Sequence, residues 1–259
     1  MSAHPPAQLA PSALGTLLMH AHQSGTAVTI PPEIEPADAD AAYAVQREIL
    51  ARRGDDIGGW KVGAPSSQAG IRGTPLPAAG VMRDPACLKL HHYRAPGLEL
   101  EIGFTFSRDF APRAQAYSEA EVLDSLAQMG ATIELVASRL AGWPQPKVSP
   151  LTQLADLQNH GALVIGEMVP YDPGFPFLGV EVDLRIDGRS IVSGIGRNPA
   201  GDPRRLLPWI VNHCRTQGWT LRAGDVVTTG SYTGMYFPDA GGALSGSIDT
   251  LPRIRTMLV

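Results

Sequence analysis

The segment from Leu98 to Phe106 alternates between apolar residues and polar or small ones. Leucine, isoleucine and phenylalanine take the even-numbered positions, and two glutamates, Glu99 and Glu101, take odd-numbered ones. A period of two predicts a half-buried β-strand. Residues 132–136, with apolar Ile133, Leu135 and Val136, predict a second strand, and this strand contains Glu134.

Apolar residues at helical spacing predict two N-terminal helices, and start and stop signals predict three more. Ser118 begins a capping-box sequence, and Gly54, Gly130 and Gly218 follow predicted helices as stops. The predicted helices cover residues 11–23, 37–53, 118–129, 149–160 and 202–217.

Short apolar segments predict the other strands, and Asp187-Gly188 between two of them is a hairpin signal. Residues 65–85 are rich in Gly, Pro and Ala and predict a long loop of the active-site lid type. Strands and helices do not alternate regularly, which favours an α+β fold over a doubly wound sheet. We expect an N-terminal helical segment with the lid loop (1–85) and a β-rich catalytic core (86–259). The further predicted strands are residues 58–63, 162–165, 180–186, 190–193, 226–229 and 254–258.

Composition narrows the class of protein. An apolar fraction of 44% and a charged fraction of 18% among 259 residues are typical of a folded globular protein. The net charge of -4 argues against a nucleic-acid partner, which needs clustered positive charge. No stretch has membrane-spanning length. The two cysteines, Cys87 and Cys214, lack zinc-site spacing and predict reduced thiols in a cytoplasmic protein.

The glutamates carry the strongest chemical signal. Residues two apart in a strand point to the same face, so Glu99 and Glu101 project together. Adjacent carboxylates resist joint ionisation unless a positive charge lies between them, and Mg²⁺ or Mn²⁺ is the natural partner of an all-carboxylate site. Glu134 offers a third oxygen ligand. Spacing alone leaves open a solvated sheet face with no ion.

Two further features have both a structural and a functional interpretation. Lys61 lies among apolar neighbours, either as a strand lysine with an exposed amine or as a base or carboxylate partner. Residues 228–234 form a turn rich in glycine and hydroxyls, which is either an ordinary turn or an anion-binding one. The chain lacks the zinc-protease, nucleophile-elbow, dinucleotide and P-loop motifs.

Several short motifs together resemble the 2-oxopent-4-enoate hydratase and 4-oxalocrotonate decarboxylase family of the fumarylacetoacetate hydrolase superfamily. The similarity runs from about residue 36 to the C-terminus. The motifs are Gly59-Trp-Lys-Val-Gly63, Leu98-Glu-Leu-Glu-Ile-Gly103, Ile133-Glu-Leu-Val-Ala-Ser-Arg139, Ala155-Asp156 and Thr229-Gly-Ser231.

The resemblance implies a β-rich core, a homo-oligomer and a role in aromatic catabolism, and it leaves open association with a related pathway enzyme. It assigns an Mg²⁺ or Mn²⁺ ion to Glu99, Glu101 and Glu134. It implies catalytic roles for Lys61 and Asp156. Gly230 and Ser231 match the turn that lines the substrate pocket.

The chain departs from the family pattern where the substrate would be selected. Family hydratases carry a Glu-Pro-Asp-Phe-Gly-like lid segment, which is Arg72-Gly-Thr-Pro-Leu-Pro-Ala-Ala-Gly80 here. The family's Ala-Asp-Asn-Ala-Ser run is Ala155-Asp-Leu-Gln-Asn159. The metal half of the expected site is therefore intact, and the substrate half is altered.

The leading hypothesis is a metal-dependent hydratase that adds water to a small 2-hydroxy-2,4-dienoate through an enolate held by the metal, giving a 4-hydroxy-2-oxo acid. The alternatives are a 2-oxo-3-enedioate decarboxylase, an acylpyruvate-type C–C hydrolase, and a non-catalytic partner subunit that binds metal and oxo acid. The hydrolase is less favoured because residues 65–81 contain no His-Glu pair to activate water.

Overall fold

The computed structural model describes residues 12–144 and 148–259, which form two compact units. Unit 1 comprises the described residues up to Asp55 and those of Ser138–Asn159; unit 2 comprises Asp56–Ala137 and His160–Val259. The helices are α1 (Ala13–Ser24), α2 (Ala39–Arg53), α3 (Glu119–Leu123), α4 (Pro150–Ala155) and α5 (Leu206–Gln217). The strands are β1 (Ile57–Gly63), β2 (Arg72–Pro77), β3 (Val81–Arg83), β4 (Ala86–Leu88), β5 (Gly97–Phe106), β6 (Leu126–Val136), β7 (His160–Ile165), β8 (Val169–Pro170), β9 (Val180–Ile186), β10 (Arg189–Gly196), β11 (Val227–Ser231), β12 (Gly242–Ile248) and β13 (Ile254–Leu258).

Unit 1 is built from α1, α2 and α4. Ser12 caps α1 by accepting a hydrogen bond from the Gly15 N–H, and Asp38 caps α2 in the same way. Gly54 ends α2 with a left-handed φ of 68°, as its position in the sequence predicted. The two N-terminal helices are thus present near the predicted bounds; Pro11, the predicted start of the first, lies outside the described residues.

Unit 2 contains two sheets. The larger has the order β2-β1-β11-β5-β6-β7-β3, and β8 also pairs with β6; the smaller has the order β10-β9-β12-β13-β4. The even-numbered residues of β5 lie in a core that also includes residues of β9, β12 and β13. A Cβ on Gly246 of β12 would lie 2.6 Å from Leu100 Cδ1, so the glycine permits close approach of the two sheets. The α+β class predicted from the sequence is confirmed.

The predicted alternation of apolar and polar residues in β5 is confirmed, but the prediction that one face of the strand is exposed is wrong. Nine of its ten positions are buried, and only Glu99 is partly exposed. The strand lies in the middle of the larger sheet, where both faces are covered. The glutamates therefore lie on a buried face of the sheet. This burial does not fit the alternative of a solvent-exposed sheet face with no ion.

The helix predicted to run from Ser118 to Met129 is much shorter. Ser118 forms the capping box with Glu121, but α3 ends at Leu123 and β6 begins at Leu126. Gly130 is inside this strand and stops no helix: a Cβ there would lie 2.6 Å from the Glu167 carbonyl oxygen. Pairing with β5 along nearly the whole strand outweighs the local helical signal.

The segment predicted as a loop over residues 65–85 contains β2 and β3 instead. Both are edge strands of the larger sheet. Pro75 and Pro77 fit an edge strand because a proline lacks the N–H that an inner strand needs. The predicted fourth helix also ends early, at Ala155, and β7 begins at His160 rather than at Ala162. The Asp187-Gly188 hairpin between β9 and β10 is confirmed, with both turn residues at positive φ.

Candidate metal centre and active site

The register of β5 and β6 brings the three glutamates together. Glu99 lies directly opposite Glu134, and Glu101 lies opposite Thr132. On the other side of β5, Glu101 pairs with Ser231 of β11. The carboxylates share one face of the sheet because they occupy the odd positions of β5 and the matching positions of β6.

The three carboxylates converge within the volume that one cation needs. Each contributes an oxygen, and these oxygens lie within 4.8 Å of one another. Glu101 and Glu134 have no exposed surface. Glu101 Oε1 and Glu134 Oε2 are buried and have no hydrogen-bond partner among the described residues. Buried carboxylate oxygens without a partner are costly, and a cation between them would remove that cost.

The second oxygen of Glu101 is held by β11. The Thr228 hydroxyl donates a hydrogen bond to Glu101 Oε2, and the Gly230 N–H donates to the same oxygen at 2.9 Å. Thr132 Oγ1 lies 2.7 Å from Thr228 Oγ1, which extends the network to β6. These contacts orient the carboxylate and leave Oε1 for another partner.

Lys61 of β1 reaches the same cluster. Its ammonium Nζ donates to Glu134 Oε1 at 2.8 Å. His160, the first residue of β7, places Nδ1 3.5 Å from the same oxygen. Glu134 thus has one oxygen beside a cationic amine and an imidazole, and the other has no hydrogen-bond partner among the described residues.

Burial and mutual repulsion set the charge states in this cluster. Burial raises the pKa of Glu101 to about 8 and that of Glu99 to about 7, and the Glu134 carboxylate adds to both shifts. Burial also opposes the charge on Glu134, but Lys61 and His160 outweigh it and lower its pKa. Burial likewise opposes the charge on Lys61, and the three carboxylates outweigh it and raise the lysine pKa. Lys61 and Glu134 are therefore an ion pair, and a divalent cation would favour ionisation of Glu99 and Glu101 as well.

The donor set fits a hard divalent cation. Mg²⁺ and Mn²⁺ prefer carboxylate oxygen, and Mg²⁺ keeps several waters when one or two carboxylates bind it. Glu99 is the partly exposed member of the set, so the cluster has an accessible side.

Gly230 and Ser231 lie at the end of β11 beside Glu101. Gly230 has a φ of 90°, a left-handed conformation that favours glycine. Asn198 Nδ2 donates to the carbonyl oxygens of Thr229 and Gly230, which fixes the turn. The Ser231 hydroxyl donates to the Gly234 carbonyl, so it stabilises the turn itself. Contact of either residue with a substrate stays a prediction.

Asp156 belongs to unit 1, whereas the glutamates belong to unit 2. Its buried carboxylate accepts hydrogen bonds from the Ser138 hydroxyl and from the backbone and side chain of Arg139. His22 Nε2 lies 3.3 Å from Asp156 Oδ1. These contacts show a structural role within unit 1, and a catalytic role for Asp156 stays a prediction.

Sequence reasoning missed His160 and Thr132 as parts of the site, and it included Thr228 in the hydroxyl-rich turn 228–234 without linking it to Glu101. His160 was hidden because the strand was predicted to start at Ala162 and not two residues earlier. Thr228 and Thr132 lie on neighbouring strands at positions that face Glu101, and only the register between strands reveals them. A prediction that β11, β5 and β6 are neighbours in the sheet would have identified the two threonines.

The fumarylacetoacetate (FAA) hydrolase C-terminal family matches residues 62–259, which include all three glutamates. The chain belongs to this family. Lys61 lies one residue before the matched region. The described residues contain no helix that is long and apolar enough to cross a membrane.

The chain is similar in sequence to known hydratases, and in fold to a decarboxylase and a hydrolase. A 2-keto-4-pentenoate hydratase from Burkholderia vietnamiensis is 27% identical over 229 residues, which cover 84% of this chain and 85% of that protein. A 4-oxalocrotonate decarboxylase from Pseudomonas putida G7, complexed with magnesium and adipate, has a TM-score of 0.79 at 19% identity, covering 95% and 96% of the two chains. A fumarylpyruvate hydrolase from Pseudomonas aeruginosa, complexed with Mn²⁺ and pyruvate, has a TM-score of 0.53 at 17% identity, covering 77% and 88%. The two structures show the shared fold.

Proposed function

We propose that this chain is a metal-dependent hydratase that adds water to a 2-hydroxy-2,4-dienoate and forms a 4-hydroxy-2-oxo acid. The observation that carries the proposal is the convergence of Glu99, Glu101 and Glu134 on one buried point. The similarity to 2-keto-4-pentenoate hydratases over most of both chains supports the choice of reaction.

Glu99, Glu101 and Glu134 would hold a divalent cation, Mg²⁺ or Mn²⁺. When bound, such an ion supplies positive charge that stabilises the negative charge developing on the 2-oxo oxygen. The structures of the decarboxylase with magnesium and the hydrolase with Mn²⁺ support this choice of ions.

Hydration requires three proton movements. The 2-hydroxyl loses a proton, the terminal carbon of the diene gains one, and water then supplies a hydroxyl to C4 and a proton to C3. Lys61 is the candidate for holding or moving a proton, because its ammonium borders the carboxylate cluster. Gly230 and Ser231 would position the carboxylate end of the substrate beside Glu101.

Replacement of Glu101 with Gln tests the proposal. The variant keeps the shape of the side chain and removes its charge, so with Mg²⁺ present we expect the decay of dienol absorbance to slow by about 100-fold or more. Glu181→Gln is the matched control, since Glu181 is an exposed strand glutamate of the other sheet. Turnover by Glu101→Gln at the control rate would overturn the assignment of the site.

Analysis of the product separates hydration from the decarboxylase and hydrolase reactions. A hydratase yields the 4-hydroxy-2-oxo acid and conserves carbon, a decarboxylase releases CO₂, and a hydrolase yields two shorter acids. We expect the first result. Release of CO₂ without net addition of water would replace the proposal with the decarboxylase reaction.

We also propose that the chain forms a homo-oligomer in a reducing compartment such as the cytoplasm. Leu178 and Ile195 expose 63% and 60% of their surface, which supports an interface on unit 2. Cys87 and Cys214 are unpaired thiols, which supports a reducing environment. Light scattering after size-exclusion chromatography tests the assembly, and a monomer at micromolar concentration would contradict it.

A further inference from the structure

A row of residues with two glycines at its inner positions crosses the larger sheet beside the carboxylate cluster. Arg72 of β2 lies directly opposite Gly63 of β1. Lys61 lies opposite Thr228 of β11, and Gly63 and Gly230 each lie two residues further along these parallel strands. Gly230 donates to Glu101 on the next strand. The row therefore runs from Arg72 through two glycines to Glu101.

All members of this row share one face of the sheet. Residues two apart in a strand face the same way, so Gly63 shares the face of Lys61. Directly paired residues of neighbouring strands also share a face, which adds Arg72. Lys61 contacts Glu134, so this is the face that carries the cluster.

Space is open at Gly63 and narrower at Gly230. A Cβ on Gly63 would meet no atom within 4 Å, whereas one on Gly230 would lie 3.7 Å from Asn198 Nδ2. Arg72, Gly63, Lys61, Gly230 and Glu99 are partly exposed, whereas Thr74, Thr228, Glu101, Thr132 and Glu134 on the same face are buried. The accessible part of the face thus extends from the arginine at the edge strand to the glutamates.

Arg72, at the end of this row, is a cation without an ionic partner among the described residues. Its guanidinium forms no hydrogen bond or ion pair with any residue in the described parts of the chain. Lys61, on the neighbouring strand of this face, is already engaged by Glu134, and Arg83 shares the face but lies on the edge strand β3 at the opposite end of the sheet. An anionic group that enters along the row would therefore meet Arg72 as its charge partner.

The distance between Arg72 and the glutamates suits a ligand with two anionic ends. Neighbouring strands are about 4.8 Å apart, so the three spacings from β2 to β5 amount to about 14 Å between backbones. The arginine and glutamate side chains extend into this interval from its two ends. A 2-oxo acid of about six carbons would bind the glutamate-held cation with its 2-oxo acid end and extend over Gly230 and Gly63 toward β2.

We infer that Arg72 selects substrates that carry a second carboxylate at the far end of the chain. This inference rests on the proposed function and assigns its substrate class: 2-hydroxydienoates with an anionic tail are preferred over those that end in a methyl group. The guanidinium fits a planar carboxylate with two parallel N–H donors.

Equilibrium binding tests the inference without turnover. With Mg²⁺ present, calorimetry compares 2-oxoadipate and 2-oxohexanoate, which share the 2-oxo acid end and differ only at the tail. We expect the wild-type protein to bind 2-oxoadipate about 10- to 100-fold more tightly, the range for a hydrogen bond to a charged group. Arg72→Gln should abolish the preference, and Arg72→Lys should restore part of it. Arg189→Gln, at an exposed edge-strand arginine, is the control and should keep the full preference.

Turnover gives the second measurement. We expect Arg72→Gln to lower kcat/KM for 2-hydroxyhexa-2,4-dienedioate by about 10- to 100-fold and to change that for 2-hydroxyhexa-2,4-dienoate less than about twofold. Equal effects on both substrates, or a tail preference that persists in Arg72→Gln, would overturn the inference while the proposed function stands. Tail-selective binding without turnover of either dienoate would overturn the proposed function and support the role of Arg72. Failure of both oxo acids to bind would overturn both.

Discussion

Glu99 on β5 lies directly opposite Glu134 on β6. Like charges at opposite positions of an antiparallel pair destabilise the sheet, and here one of the two is completely buried. Lys61 neutralises a single carboxylate of the three. With all three carboxylates ionised, the cluster would carry an excess of negative charge, which a divalent cation would balance. Without the cation, the raised pKa values of Glu99 and Glu101 reduce that excess by protonation.

Mg²⁺ should stabilise the folded protein. A ligand that binds only the folded state adds about 2.7 kcal/mol to the free energy of unfolding at 100 times its dissociation constant. We expect the melting temperature to rise with Mg²⁺ and to fall again with a chelator. Sodium chloride at matched ionic strength is the control, and an equal rise with sodium would show a general salt effect.

Lys61→Met should affect both stability and activity. Removing one partner of a buried ion pair costs about 3–5 kcal/mol, because Glu134 would be left as an uncompensated buried charge. Urea unfolding without added metal should show the loss, and Mg²⁺ should recover part of it by supplying another positive charge. Lys89→Met, at an exposed lysine, should change neither property. Full stability and full turnover in Lys61→Met would refute the role of the pair.

Thr228→Val should weaken metal binding. The substitution preserves the shape of the side chain and removes the hydroxyl that donates to Glu101, so the carboxylate loses an orienting contact. Loss of such an outer contact costs about 10- to 100-fold in metal affinity. Thr229→Val is the control, since its hydroxyl donates to the Ile102 carbonyl instead. Calorimetry with Mg²⁺ should separate the two variants, and equal affinities would contradict the assignment.

Unit 1 should lose stability as the pH falls below neutral. Burial is the main cause that lowers the pKa of His22 from its ordinary value of 6.5, and the nearby cations Arg139 and Arg53 add to the shift, while Asp156 opposes it. Between the lowered pKa and 6.5 the unfolded chain binds more protons than the folded one. Above pH 6.5 His22 therefore leaves the free energy of unfolding unchanged with pH. Below pH 6.5 the free energy of unfolding declines, by at most about 1.4 kcal/mol per pH unit for this group. Asp156, whose pKa Arg139 and His22 lower against the effect of burial, adds a further loss below 3.8.

His22→Gln should flatten this pH dependence, because the amide does not titrate and can still donate to Asp156. His20→Gln, at an exposed position on the same helix, should keep the wild-type slope. Chemical unfolding at a series of pH values between 7 and 5 measures both. A wild-type slope in His22→Gln would assign the effect to another group.

The sequence predicted the strands of the site well, because two signals agreed there. The alternation around Glu99 and Glu101 specified both the strand and the shared face, and the family resemblance identified Glu134 as the third member. The capping box at Ser118 was also correct, but it predicted only where α3 starts. Where the helix ends depends on the pairing of β6 with β5, which is distant in sequence.

Other parts of the site depend on relationships that a linear pattern does not contain. His160 contacts Glu134 because β7 pairs with β6, and Thr228 contacts Glu101 because β11 lies beside β5. The edge strand β2 has no apolar alternation, since its prolines and glycine are tolerated only where one side needs no hydrogen bonds. Position within the sheet, set by contacts between distant segments, determined these features.

Binding of Mn²⁺ tests the central claim most directly. Electron paramagnetic resonance counts bound and free Mn²⁺ during a titration and needs neither substrate nor turnover. We predict one Mn²⁺ per chain for the wild type and for Glu181→Gln, and a loss of affinity of about 100-fold or more for Glu101→Gln. Equal binding of Mn²⁺ by Glu101→Gln and the wild type would contradict a metal centre at the three glutamates.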